Sequence, residues 1–260
     1  MSETIQLEKT NHIAFIKLNR PEAYNAFTRE MALELISALD DCDADPTIRV
    51  ISLSANGKAF CAGQDLKEVS DPERNIGFER IVEEHYNAII RRITKHKKPV
   101  IAAVNGVAAG AGANIALACD IVLASNKACF IQAFSKIGLI PDSGGTYILP
   151  RLIGYAKAKA LAMLGDKLSA QEAENMGMIY KCVDASEFEE KHLELANQLA
   201  SLPPLGIQYT KKLFESSMHN SLDQQLELEK EYQVRAGHTN DYHECVKAFI
   251  EKRKPEIKGT

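Results

Sequence analysis

The chain changes period near residue 200, and that change constrains its fold more than any other feature. Before it, strand-like runs alternate with amphipathic helical stretches. "TIQLEKT" and "HIAFIKLN" read as a strand pair with a polar break at Lys9 to Asn11. "RPEAYNAF" reads as a loop. Thr28 is a candidate N-cap for a helix with Met31, Leu35 and Leu39 on one face. "IRVISLSANG" gives a strand, and Phe78, Ile81, Val82, Tyr86, Ile89 and Ile93 give a second helix that ends in "KHKK" before Pro99. "PVIAAVNG" and "IVLAS" read as buried strands, and "VAAGAGANIALACD" as a small-residue turn and helix between them. Ser169 and Glu172 have capping-box spacing. Alternation of this kind over residues 1 to about 190 implies α/β architecture. After "SLPPLG" only helices are expected, one opening at Ser221 with Gln224 three residues on, another at Asp241 with Glu244. The expected organisation is a core over residues 1–200 and a helical region over 201–260.

A content of 45% hydrophobic and 25% charged residues suits a globular chain of 260 residues. The formal net charge of −4 argues against a nucleic-acid partner, which favours a basic excess. No apolar run approaches the ~20 residues of a membrane span, and the N-terminal stretch has no apolar signal-peptide segment, so the expectation is a cytoplasmic protein. The six cysteines, at 42, 61, 119, 129, 182 and 245, form no C-x-x-C and no Cys/His cluster with zinc spacing. They read as reduced thiols, with no metal site. There is no G-x-S-x-G, against a serine hydrolase.

Three segments are rich in small residues: "KAFCAGQDLKE" (58–68), "NGVAAGAGANIALACD" (105–120) and "GLIPDSGGTYILPRLIG" (138–154). Small residues let a ligand approach the backbone, and free N–H groups at a helix start are anion donors. Two such turns facing each other would hold one oxyanion. Each loop by itself is equally well explained by tight turns and close packing. Asp142, the single acid of the third segment, reads by itself as a turn residue after Pro141.

Taken together, and with "LNRPEAYNAF", "LSAQEAENMGMI" and the tail "YHECVKAFIEKRKP", these motifs resemble the crotonase superfamily of enoyl-CoA hydratases and isomerases over essentially the whole chain. The resemblance implies a β-β-α spiral core with a C-terminal helical region that packs in a trimer or a dimer of trimers. It implies an acyl-CoA thioester substrate, with CoA arriving as part of that substrate and no other cofactor. By motif position the thioester oxygen would be held by the backbone N–H groups of Gln64 and Ala111, and CoA by the backbone near Ala23 and at Ala62, Gly63, Asp65 and Leu66. Two fixed donors stabilise an enolate more than its neutral ground state.

The chain departs from the hydratase pattern at the acids. Hydration in this family uses two carboxylates, and their positions here carry Asn114 and Phe134. Neither can exchange a proton at neutral pH. Asp142 replaces what is usually Gly, so the acid has moved. One carboxylate suits isomerisation: it removes a proton at one carbon and returns it at another. Apolar neighbours, expected to be Phe134, Ile140 and Leu149, would raise its pKa. The motifs look most like the ring-epoxide isomerase subgroup, which implies conversion of 1,2-epoxyphenylacetyl-CoA to oxepin-CoA, a 3-enoyl-CoA to 2-enoyl-CoA shift, or both. The catalytic set is then Asp142, Gln64, Ala111 and Asn114.

Other readings differ in mechanism or class. A relative, 4-chlorobenzoyl-CoA dehalogenase, uses an Asp near this loop as a nucleophile, but with a Trp nearby, and this chain has no Trp. Weak hydratase activity and a non-catalytic acyl-CoA-binding subunit are further alternatives. Cys61 reads as a small buried core residue rather than a nucleophile. The run "KAFIEKRKP" reads equally as a solvated face or as a grip on CoA phosphates.

Overall fold

The computed structural model describes residues 4–260, so residues 1–3 of the expected core lie outside it. Strand β1 (Ile5–Thr10) pairs antiparallel with β2 (Ile13–Leu18). The turn between them places Asn11 and His12 at φ 50° and 67°, the left-handed pair that a two-residue hairpin requires. Helix α1 (Arg29–Ala44) starts at Thr28, whose side chain accepts from Met31 N at 3.3 Å, and it buries Met31, Leu35 and Leu39 as the spacing predicts.

The core then repeats one move. A strand enters a large sheet, the next strand enters a small one, and helix follows. In the large sheet the order is β1-β2-β3-β5-β7-β10, with β3 Val50–Ala55, β5 Val100–Val104, β7 Ile121–Ser125 and β10 Lys181–Val183. The small sheet has the order β4-β6-β8-β9, with β4 Ala59–Cys61, β6 Val107–Ala109, β8 Cys129–Ile131 and β9 Lys167–Ser169. Strands β4, β6 and β8 run parallel, so their carboxyl ends, and the loops leaving them, lie along one edge. Close stacking of these turns requires glycine. A methyl group on Gly106 would sit 2.1 Å from Lys58 O, and one on Gly112 2.5 Å from Cys61 O. This is the α/β spiral that the sequence implies.

Helix α2 (Leu66–Ser70) follows β4, and residues 78–95 then form one continuous helix. Its ends are α-helical, α3 (Phe78–Arg80) and α4 (Ala88–Lys95), but Ile81–Asn87 between them is π-helical. Helix α5 (Ala111–Leu117) follows β6, and α6 (Gly145–Ile153) and α7 (Tyr155–Leu164) follow β8. Helix α8 (Ala170–Asn175) carries the Ser169/Glu172 capping box. Helix α9 (Phe188–Ala200) packs on the far face of the large sheet, where Ile13, Val50 and Ile101 meet Ala196 and Ala200.

Only helices follow: α10 (Pro204–Ser217), α11 (Leu222–Gly237), with its Ser221/Gln224 capping box, and α12 (Asn240–Ile250). The last start differs from expectation. Thr239, not Asp241, caps α12, because Asp241 is buried and its carboxylate accepts from Lys258 N and Gly259 N, both at 2.8 Å. It ties down the C-terminal tail. Lys211 of α10 is the main polar tie to the core, with Nζ 2.9 Å from Ile93 O, 3.2 Å from Lys98 O and 2.7 Å from Asp120 Oδ2. Among the described residues no helix is long and apolar enough to cross a membrane.

Candidate active site

The loops leaving β4, β6 and β8 open onto a cavity of about 430 Å³. Ala62, Gly63, Gln64 and Leu66 come from the first, Gly110 and Ala111 from the second, and Ala133, Phe134, Ile137, Leu139 and Asp142 from the third. Helix 78–95 closes the opposite side with Phe78, Ile81, Val82 and Tyr86. Three segments up to 80 residues apart are thus brought to one apolar chamber by consecutive turns of the spiral.

Gln64 and Ala111 both line this chamber. Phe27 bridges to the Gln64 strand by donating N–H to Gly63 O at 2.7 Å and accepting from Asp65 N at 2.9 Å. That pattern turns the N–H of Gln64 itself away from Phe27. Ala111 is the first residue of α5, where N–H groups have no helical acceptor. Gly63, at φ 92°, makes the approach possible; a methyl there would meet Ala109 O at 3.0 Å and Ala111 N at 3.6 Å. The Gln64 side chain is fixed as well. Tyr86 Oη donates to its Oε1 at 2.6 Å, and its Nε2 donates to Phe27 O at 3.1 Å. Burial holds the Tyr86 phenol well above its ordinary pKa, so it stays a donor.

Asp142 is the only carboxylate lining the cavity among the described residues. It is half-buried, and burial raises its pKa against the opposing hydrogen bond from Ser143 Oγ, 2.9 Å from Oδ1. Its side chain does not make the turn. The carbonyl does, accepting from Gly145 N at 2.9 Å and from Asn114 Nδ2 at 2.8 Å. Ser143 follows at φ 51°, a left-handed conformation that costs a non-glycine residue. Asp142 therefore lines an apolar chamber from a strained, externally held turn.

Several expected neighbours are elsewhere. Ile140 is 81% exposed and Leu149 lines a separate pocket behind the loop, so the apolar surroundings of Asp142 are Phe134, Ile137, Leu139 and Tyr86. Asn114 does not line the cavity. It is 1% exposed, and both ends of its amide are engaged, Nδ2 by Asp142 O and Oδ1 by Gln132 Nε2 at 2.8 Å. It holds the loop instead of facing a ligand.

Neither Asp65 nor Ala23 lines the cavity. The Asp65 carboxylate caps α2 and pairs with Arg20 Nη2 at 3.0 Å. Burial works against its charge, but the bonds from Arg20 and the α2 amides outweigh it and hold the pKa low. Ala23 ends a 3-10 turn (Pro21–Ala23), and the next carbonyl, Tyr24 O, accepts from Ala62 N at 3.0 Å, which places the turn beside the first loop. Sequence reasoning missed Tyr86 and Gln132 as site-building residues, since each acts through a partner distant in sequence. Cys61 is buried with its thiol pushed up to about 12 by burial, so it is a poor nucleophile.

Residues 8–260 match the family model for enoyl-CoA hydratase/isomerase, and the chain belongs to that family. It is 45% identical to the 1,2-epoxyphenylacetyl-CoA isomerase of Escherichia coli (strain K12) over 263 residues, covering all of both chains. It is 36% identical to the trans-2-decenoyl-[acyl-carrier-protein] isomerase of Streptococcus mutans serotype c, covering 96% of this chain and 95% of that one. The crystal structure of an enoyl-CoA hydratase from Bacillus anthracis superposes with a TM-score of 0.92 at 34% identity, covering 99% of this chain and all of the other. Proteins named as hydratases and as isomerases are thus both among the relatives of this chain.

Proposed function

We propose that this chain is an acyl-CoA isomerase with a single carboxylate, Asp142, as its acid/base. The observation that carries the reading is that Asp142 is the cavity's one acid among the described residues: the two positions that carry carboxylates in the resembled hydratases hold a clamped amide, Asn114, and an apolar wall, Phe134. In a 3-enoyl-CoA, Asp142 takes the proton from the carbon beside the thioester. The electron pair delocalises onto the thioester oxygen, which accepts from the N–H groups of Gln64 and Ala111. Protonated Asp142 then returns the proton two carbons along, giving the 2-enoyl-CoA with no atom gained or lost. The raised pKa makes Asp142 a stronger base for the first half of this shuttle.

Likeness to the Escherichia coli enzyme supports 1,2-epoxyphenylacetyl-CoA as a substrate, converted to oxepin-CoA. By the family resemblance CoA would lie along the first loop, at Ala62, Gly63, Asp65 and Leu66 and near Ala23. The reaction needs no metal or redox cofactor. We place the enzyme in the cytoplasm as a homotrimer or dimer of trimers, with residues 1–200 as the catalytic core and 201–260 as the trimerisation region. Purified protein given a 3-enoyl-CoA, a 2-enoyl-CoA and the ring epoxide tests the proposal. Bond migration and epoxide conversion exceeding hydration is the expected result. Hydration as the dominant reaction overturns it.

A further inference from the structure

We propose that Gln132 is a positioning residue for Asp142, acting through Asn114 as a two-amide chain that fixes the loop over residues 141–145. The proposal rests on the reading of Asp142 as the acid/base. Gln132 leaves the end of β8 and Asn114 stands on α5, and neither lines the cavity. Gln132 Nε2 donates to Asn114 Oδ1 at 2.8 Å, and Asn114 Nδ2 donates to Asp142 O at 2.8 Å.

The direction of this chain is forced. A carbonyl only accepts, so Asn114 must turn its NH2 to Asp142 and its oxygen to Gln132, which must answer with its own NH2. Gln132 keeps that orientation although its buried Oε1 finds no partner within the chain. Rotating the amide to place Oε1 differently would set oxygen against oxygen at Asn114. An unsatisfied buried acceptor is a cost that packing alone does not explain. The held turn also needs outside support, because Ser143 is left-handed, at φ 51°. The clamp is tight where it meets the loop: a methyl on Gly145 would sit 2.3 Å from Asn114 Nδ2. The position that holds an acid in the resembled hydratases has been reused to aim the acid that moved.

The test compares wild type with Gln132→Met and Gln132→Glu in 3-enoyl-CoA turnover against pH, and follows the Asp142 carboxyl by 13C NMR titration, assigned with Asp142→Asn. Gln132→Met should lower kcat by roughly 10²-fold, the scale of an ångström-sized misplacement, with KM little changed because the ligand is not touched. Its Asp142 titration should move toward the ordinary carboxylate range as the loop relaxes. Gln132→Glu has no donor for Asn114 when ionised and regains one when protonated, so its deficit should shrink as pH falls by more than that of Gln132→Met, which narrows only by the shift in its Asp142 titration. A folded Gln132→Met with unchanged kcat and unchanged Asp142 titration overturns the proposal, as does a Gln132→Glu deficit flat in pH. If Gln132→Met fails to fold, the pH profile of Gln132→Glu decides. A wild type that isomerises nothing, with an Asp142 titration that still moves in Gln132→Met, leaves the positioning in place and removes the proposed function.

Discussion

Asp142 sits where a carboxylate costs the fold stability. Its pKa is raised in the folded chain, so the neutral form is favoured there. That stability is fully present below the unfolded value, ~3.9, and is lost as pH rises through the folded value. Asp142→Asn should therefore melt higher than wild type at neutral pH, with the gap closing below about pH 4. The same residue should make wild-type turnover rise with pH through a midpoint above ~3.9, measurable as a pH profile of kcat/KM. Gly145→Ala tests the clamp from the other side: its methyl must displace Asn114, and overpacking of this kind costs about 1–3 kcal/mol, readable by urea denaturation. The lone acid was legible in the sequence because its place in the motif is local. The clamp was not, since Asn114 and Asp142 are 28 residues apart and meet only when the spiral closes.

Elements with a local signature were legible. Thr28, Ser169 and Ser221 cap the helices that their spacing predicts, and the strands of the large sheet fall on the apolar runs. The small sheet was not legible as a sheet. Its strands are three residues long, too short for a period, and exist because the spiral brings them together. The π-helical segment at Ile81–Asn87 keeps the apolar spacing of an α-helix, so the sequence does not reveal it, yet it carries Tyr86 into the cavity. Helix α9 has a pH-dependent attachment. His192 is buried between Phe15 and Phe188 beside Ser52, and burial, with Lys17 adding to it, lowers its pKa to about 4. Stability from its neutral ring is present above the unfolded value, ~6.5, and is lost as pH falls toward about 4. Amide protection factors of α9 should fall over that window in wild type and less so in His192→Gln. Lys211→Met should loosen α10 by about 2 kcal/mol, because three charge-assisted bonds are lost, and denaturant unfolding checks it.

At the scale of the whole molecule, the helical region leaves large apolar side chains outside. Phe249 is 85% exposed, and Phe214, Leu222 and Ile250 are also exposed. Surface of this kind is what association covers. Sedimentation equilibrium should give the mass of a trimer or of two trimers, and Phe249→Glu should shift it toward the single chain. The proposed reaction uses one acid, reached only by folding three loops together, both to remove and to return the substrate proton. Its most direct test is turnover of a 3-enoyl-CoA and a 2-enoyl-CoA by wild type and Asp142→Asn. Bond shifting by wild type, lost by roughly 10²–10⁴-fold in the variant with little hydration by either, is the expected result. Bond shifting or efficient hydration that survives the substitution would contradict it, and would assign the chemistry to another group.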